Sequence, residues 1–320
     1  MLKRTLLMLC CVASAHAAPS NNAADDIERY MAEHGLVVPT AVLGTFGRGA
    51  GFEEVVTRFN ELVNRLAKDD GAESLSFPPV MDRTIMEKVH YLETFPHLCG
   101  SVHSFFGNGL EALRLAEKAN KGEEWGDMLK QTQVVLNPAA CYPVYPTLAG
   151  TVPAEGRLVT VMNWVFRHEP SLEPTRLQSF RMREFIRVGT PDQVIPWRDM
   201  WHQRGIDLLR SLGLPAQSDV ANDPFFGRGG VMRAASQREQ KLKFEVLVPV
   251  ISAEHPTACC SFNYHQDHFG STFGIHTPDG EVAHTACMGF GMERIAMALF
   301  KHHGFKPEQW PAEVRQQLWS

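Results

Sequence analysis

Hydrophobic side chains recur along this chain with two distinct periods. From Phe52 they return every three or four positions, at Val55, Val56, Phe59, Leu62, Val63 and Leu66, which is the spacing of one helix face. Asp69-Asp70-Gly71 ends that helix. The same period marks residues 192–212, with Val194, Trp197, Trp201, Ile206 and Leu209, closed by Gly213-Leu214-Pro215. It appears again at Met292, Ile295, Ala296, Leu299 and Phe300, where Gly304 stops the helix and Pro307 lies just beyond. Between these helices the period falls to two. Residues 157–167 form a strong strand rich in Val, Trp and Phe, and residues 178–187 form a second. On the second strand Phe180, Met182, Glu184 and Ile186 share one face, while Arg181, Arg183, Phe185 and Arg187 share the other. Residues 241–251 alternate in the same way, and Thr277-Pro278-Asp279-Gly280 is a hairpin turn whose return strand covers residues 281–288. A short strand at residues 74–77 is closed by Pro78-Pro79. Residues 110–133 read as a charged helical region with a break near Gly122, mostly a solvated face, and residues 222–230 read as a turn.

The N-terminus carries a different pattern. Lys3 and Arg4 precede an apolar run from Leu6 to Ala13, and Ala15-His16-Ala17 is a small-x-small cleavage pattern, as in a secretory signal peptide. The run is too short to span a membrane as a helix. Residues 21–26 read as a polar, disordered linker. Residues 1–30 are therefore taken as a signal-like or disordered extension and residues 31–320 as one domain.

Composition narrows the choice. The chain has 320 residues, 44% hydrophobic and 21% charged, enough for a large core. Its net charge is −5 and its pI about 6.3, with no basic tract, so an extensive nucleic-acid footprint is not expected. Seven cysteines, an odd number without small-scaffold spacing, fit free thiols and metal ligands better than a disulfide framework. The Gly-rich residues 44–51 lack the Lys-Ser/Thr of a phosphate loop and read as a flexible turn. His97, Cys99 and His103, and the pair His265 and His268, fit no metal-ligand spacing well.

Three features call for chemistry. Arg294 sits in the first turn of its helix, after Gly289-x-Gly291, where the helix dipole disfavours a cation unless an anion is bound. Glu184 shares a face with Phe, Met and Ile, which is costly unless a positive partner meets it or the residue reaches solvent at an edge. Cys141 lies in a loop between Pro138 and Pro143, where a small buried hydrophobe is the plain reading.

Gly289-x-Gly291-x-x-Arg294 heading an amphipathic helix resembles motif 3 of the class II aminoacyl-tRNA synthetases. The strand ending in Phe166-Arg167-His168-Glu169, its loop, and the next strand with Gln178, Phe180 and Glu184 resemble motif 2. The helix from Phe52 followed by a Pro-closed strand resembles motif 1, the dimer-forming element. With Asp223-Pro224-Phe225-Phe226-Gly227 and Ala286-Cys287, the match is close to the amino acid:[carrier protein] ligases, truncated relatives of the archaeal-type seryl-tRNA synthetases, from about Leu36 to the C-terminus. The resemblance implies an α+β fold, an antiparallel sheet flanked by helices, in a homodimer. It implies that Arg167 and Arg294 hold the ATP phosphates, Glu169 orients the adenine and Phe180 stacks on it. Backbone near Arg176 and Leu177 would border the base, and Ala258, Cys259, Cys260 and Ser261 would flank the phosphates. Cys141, Glu184 and Cys287 would hold one Zn2+ per subunit that binds the substrate amine, with Mg2+ entering with ATP. The family's Mg2+-binding Glu has no counterpart, because Thr257 or Ala258 stands there.

The expected activity is ATP-dependent activation of a small amino acid, glycine or alanine, to the aminoacyl-adenylate. Transfer to the phosphopantetheine thiol of a carrier protein follows. No protein nucleophile or general base is needed, since positioning and electrostatics carry both steps. No N-terminal tRNA-binding arm is seen, so tRNA is not an expected partner, and neither is a membrane. ATP chemistry implies a cytoplasmic protein, against the signal-like residues 1–17. Carrier proteins are usually acidic, which makes residues 114–130 and 198–210 candidate docking helices. A truncated tRNA ligase, a non-catalytic binding paralogue and a secreted protein remain as alternatives.

Overall fold

The computed structural model describes residues 21–320, with side chains from Ile27 onward. The signal-like residues 1–17 lie outside the described residues. Helix α1 (Asn21–Glu33) covers the stretch that composition reads as a disordered linker. Ile27 and Met31, one turn apart, are buried and dock it on the core. Composition weighs the polar majority and misses two anchors at helical spacing.

The Gly-rich stretch belongs to a hairpin, β1 (Val37–Pro39) paired with β2 (Phe46–Arg48). The Gly44 carbonyl accepts from the Gln178 amide at 2.8 Å, which ties the hairpin tip to a distant loop. Helix α2 (Ala50–Leu66) then buries Phe52, Val55, Val56, Phe59 and Val63, while Leu66 ends on the surface. After β3 (Glu73–Leu75) come β4 (Val80–Asp82), α3 (Arg83–Lys88), α4 (Tyr91–Thr94), β5 (Ser101–Ser104), α5 (Gly109–Asn120) and β6 (Lys130–Leu136). Strands β4, β6 and β5 form a small side sheet in that order. The charged region is thus helical only to Asn120, and its C-terminal part is strand. Val135, paired with Met81 and buried, supplies the sheet contact that outweighs the charged residues before it.

The main sheet is built from the second half of the chain. After β7 (Gly150–Thr151), strands β8 (Arg157–Phe166) and β9 (Ser179–Gly189) form a long antiparallel pair, as their alternation predicts. Helix α6 (Pro191–Ser211), β10 (Gln217–Val220), α7 (Gly227–Glu239), β11 (Lys243–Val248) and β12 (Thr257–Gln266) follow. Then come α8 (His268–Phe273), β13 (Ile275–His276), β14 (His284–Gly291), α9 (Met292–His303) and α10 (Ala312–Trp319). Helix α7 begins inside the stretch read as a turn. Its three glycines and exposed Val231 and Met232 give it no apolar stripe by which to be recognised.

Seven strands run in the order β10-β11-β12-β14-β9-β8-β3. All pairs are antiparallel except the edge pair β3–β8. This is the predicted α+β architecture. Period-two alternation gives the sheet two unlike faces. One carries Phe185, Phe262 and Phe290 and is covered by α2 and α6. Trp201 stacks on Phe185 at 4.9 Å, and Phe59 meets Phe290 edge-on at 5.5 Å. Helix α6 approaches so closely that a Cβ at Gly205 would lie 2.6 Å from Phe262 Cζ. The other face carries Phe180, Met182, Glu184, Ser261, Asn263 and Cys287 and borders a cavity of about 660 Å³. Among the described residues no helix is long and apolar enough to cross a membrane.

Candidate active site

Register brings the site together. Glu184 on β9 lies opposite Gly289 on β14, and Gly289 lies opposite Ser261 on β12. One step along, Ile186, Cys287, Asn263 and Lys243 form a second row across four strands. Directly opposed residues in antiparallel strands share a face, so Glu184 and Cys287 come within reach on the cavity floor. A Cβ at Gly289 would stand 3.3 Å from Glu184 Cγ, so glycine there keeps space beside the carboxylate. Cys141 descends onto this floor from the loop after β6, and its amide donates to Glu184 Oε2 at 2.7 Å.

The ligand atoms of Cys141, Glu184 and Cys287 all lie within 4.8 Å of one another, and all three residues are buried. Bonds of about 2.0–2.3 Å around a tetrahedral ion place ligands roughly 3.3–3.8 Å apart, so a modest contraction closes the set. Burial, with the Cys287 sulfur beside it, pushes the Glu184 carboxyl up to about 8. The hydrogen bond from the Cys141 thiol holds Cys287 well below the usual thiol range. The same bond, reinforced by burial, pushes Cys141 up. Glu184 has no ion-pair partner among the described residues. A buried carboxylate between two sulfurs is a costly arrangement without a cation and a suitable one with it. Three donors, two of them soft, fit a metal ion with one position left open.

Arginines also line the cavity. Arg294, in the first turn of α9, donates from Nε to the Thr175 carbonyl at 2.8 Å and from Nη1 to the Ala258 carbonyl at 3.0 Å. Burial draws its guanidinium below the ordinary value. Arg167, at the end of β8, donates from Nε to the Pro138 carbonyl at 3.0 Å and lies 5.8 Å over the Phe180 ring. Both arginines and Phe180 line the cavity, as do Ala258, Cys259, Cys260 and Ser261. Cys260 shares a face with Phe262, away from the cavity, so its backbone is what it offers there. Burial pushes the Cys259 thiol up to about 12, which makes it inert at neutral pH.

Glu169, Arg176 and Leu177 lie elsewhere, on the loop between β8 and β9. Arg176 Nη1 is 3.3 Å from Glu169 Oε1 and its Nε 3.7 Å from Glu173 Oε2, while Leu177 is buried in the core. None of the three lines the cavity. Residues that sequence reading left without a role do line it: Asp223, Lys243, Asn263 and His265. Lys243 Nζ stands 2.5 Å from Asp223 Oδ1 and 3.3 Å from Glu245 Oε1. Alternation along β12 from Ser261 would have found Asn263 and His265. The described cysteines are all free, and the metal-donor set does not extend to His97, His103, His265 or His268.

No family model matches the chain. Among curated proteins, amino acid–[acyl-carrier-protein] ligase 1 of Bradyrhizobium diazoefficiens is 47% identical over 277 residues, covering 86% of this chain and 85% of that protein. The chain belongs to the amino acid–[acyl-carrier-protein] ligase family. Ligase 2 of the same organism is likewise 47% identical, over 86% of this chain and 83% of its own length. The type-2 serine–tRNA ligase of Methanopyrus kandleri is 26% identical over 84% of this chain, which spans about half (55%) of that enzyme. Among solved structures, M. kandleri seryl-tRNA synthetase, crystallised with A. aeolicus tRNASec, superposes with a TM-score of 0.79 at 22% identity, over 92% of this chain and 60% of that one. Seryl-tRNA synthetase from Pyrococcus horikoshii, complexed with ATP, gives 0.68 at 11% identity, over 92% and 62%. The ligase family is therefore built on the catalytic fold of class II synthetases.

Proposed function

We propose that this ligase activates a small amino acid, glycine or alanine, with ATP and passes it to the phosphopantetheine thiol of a carrier protein. One observation carries the reading: a buried Cys141/Glu184/Cys287 donor set lies on the floor of the same cavity whose wall holds Arg167, Phe180 and Arg294. Zn2+ fits the donor set and supplies, when bound, an open position for a free amine. An acid lacking the amine gains no such bond, which selects amino acids. Tyr142, His265 and Phe269 line the cavity beside the sulfurs and favour a small side chain.

The chain's own residues then position the reaction. Arg294, its Nε and Nη1 fixed on two carbonyls, presents a rigid guanidinium to the phosphates. Arg167 shares the charge developing on the α-phosphate as the substrate carboxylate attacks and pyrophosphate leaves. Phe180 offers its ring to the base. Glu169, with Arg176 and the Leu177 backbone, is assigned to the adenine by the family resemblance alone, since none of the three lines the cavity. Mg2+ would enter with ATP, and Ala258 offers it no carboxylate.

For the acceptor, α5 is favoured over α6. On α5 no side chain is buried, and Leu110 and Leu113 stand exposed beside Arg114, while Lys118 pairs with Asp127. On α6 the cations are engaged: Arg198 with Asp199 and the Lys241 carbonyl, Arg204 with Asp70, and Arg210 with the Ala216 carbonyl. Apolar Met162 and Trp164 exposed on β8, beside β3, support a dimer interface there.

The test is loading. Incubation with ATP and glycine or alanine is expected to add the mass of one aminoacyl group to a phosphopantetheinylated carrier and none to bulk tRNA. Acylated tRNA with an unmodified carrier would favour the truncated tRNA ligase, and no amino-acid-dependent pyrophosphate exchange would favour the non-catalytic paralogue. Leu110→Ser with Leu113→Ser should lower carrier loading about ten-fold and leave pyrophosphate exchange intact.

A further inference from the structure

The sulfur of Cys287 is held from two sides by polar groups of β12. Asn263 sits directly opposite Cys287 in the β12–β14 register, and its Nδ2 donates to Cys287 Sγ at 3.4 Å. His265, two residues further and on the same face, places Nε2 3.4 Å from the same sulfur. Its other nitrogen, Nδ1, is 3.0 Å from Thr285 Oγ1 on β14. A hydroxyl that gives its hydrogen to Nδ1 leaves the imidazole hydrogen on Nε2, directed at the sulfur. Edge-on contacts with Phe269 at 4.9 Å and Tyr145 at 6.2 Å hold the ring in that plane. A neutral thiol is a weak acceptor and has little use for two N–H donors. A thiolate does, because each donor offsets part of its charge.

We propose that Asn263 and His265 are positioning residues of the metal centre. Their N–H groups draw electron density from the Cys287 sulfur, and Thr285 sets the His265 tautomer that makes this possible. This rests on reading Cys141, Glu184 and Cys287 as a metal site. Two thiolates and a carboxylate place three negative charges in a buried space, and one divalent ion leaves the site negative. Donors onto the sulfur spread the remainder. A sulfur that shares less density also leaves the ion a stronger acceptor for an incoming amine.

Cobalt substitution tests this without turnover. Co2+ bound by thiolate shows a near-ultraviolet sulfur-to-metal charge-transfer band whose energy falls as the sulfur becomes more electron-rich. Asn263→Leu and His265→Phe each remove a donor and keep the side-chain branching or ring, and the phenyl ring keeps the aromatic contacts. Each is expected to move the band to lower energy and to weaken metal binding about ten-fold in chelator competition. His265→Gln, whose amide nitrogen reaches the place of Nε2, should restore both, and Thr285→Val should shift the band in the same direction as His265→Phe. Weaker binding with an unmoved band marks a packing role and overturns the proposal. Bands and affinities equal to those of the native protein overturn it too, and leave the metal site standing. Native protein that takes up no more Co2+ than Cys141→Ser overturns the site reading itself.

Discussion

Residues that define the site are those whose local surroundings make them anomalous. Arg294 opposes a helix dipole, Glu184 shares a strand face with apolar neighbours, and both anomalies resolve in the cavity. Their positions were legible from period and spacing. Cys141 was not, because nothing in a proline-flanked loop says which sheet it descends upon; only the family resemblance paired it with Cys287. Arg294→Ala should cut amino-acid-dependent pyrophosphate exchange by about 10²-fold or more, the usual loss for one preorganised charge donor, with little change in the apparent affinity for the amino acid. Steady-state kinetics against each substrate check this.

The Asp223–Lys243 pair makes a second prediction at this scale. Burial alone would raise the Asp223 carboxyl, but Lys243 and Gln237 bring it below its ordinary 3.8. Burial opposes the Lys243 charge too, yet Asp223 and Glu245 raise it above 10.5. A lowered acid stabilises the fold above its unfolded value, and the benefit is lost as pH falls through the folded one. A raised base stabilises below its unfolded value, and the benefit is lost as pH rises through the folded one. The pair's contribution is therefore flat through neutrality and disappears at both extremes. Lys243→Met should cost about 1–2 kcal/mol near pH 7 by leaving the half-buried Asp223 without its cation, with Gln237 still bonded to it, whereas Lys243→Met with Asp223→Asn should recover most of that. Urea melts at three pH values measure it.

Secondary-structure elements converge on one ion network behind the cavity. Glu293, next to Arg294 and 1% exposed, accepts from the Arg181 amide and Nε, each at 2.7 Å, and lies 3.5 Å from Arg48 Nε. Arg181 reaches on to Glu53 of α2 at 2.6 Å, and both guanidiniums lie over Trp164, at 4.7 and 4.9 Å. The network joins α2, β8, β9 and α9, which lie in the stretches that resemble the three class II motifs, to β2 of the N-terminal hairpin. Glu293→Ala leaves the nearly buried Arg48 without its carboxylate and Arg181 with Glu53 alone, and should destabilise the fold by about 3 kcal/mol, read as a lower urea midpoint at unchanged m. Elements with a strong period were legible: α2, α6, α9, β8 and β9 stand where alternation and helical spacing put them. Helix α7 was not, since its side chains face solvent. Residues 130–133 were misread as helix because charge before Val134 masked a strand held by β4 and β5.

At the scale of the whole molecule, function follows from a sheet with unlike faces. Helices α2 and α6 seal one face with aromatic residues, and loops leave the other open as a cavity lined by both a metal-donor set and arginines. On the proposed reading, that lining would place an amine and a triphosphate at opposite ends of one small acid, which is what carboxylate activation requires. The sheet order itself could not be read from the chain, because strand neighbours such as β9 and β14 are separated by almost a hundred residues and their pairing is settled by packing.

Zinc-edge X-ray absorption on the native protein, with and without bound glycine, tests this account most directly. It predicts one zinc per subunit with two sulfurs at about 2.3 Å and a carboxylate oxygen at about 2.0–2.2 Å, and one further nitrogen at about 2.0–2.1 Å when glycine binds. A zinc shell without sulfur, or one that glycine leaves unchanged, would contradict it.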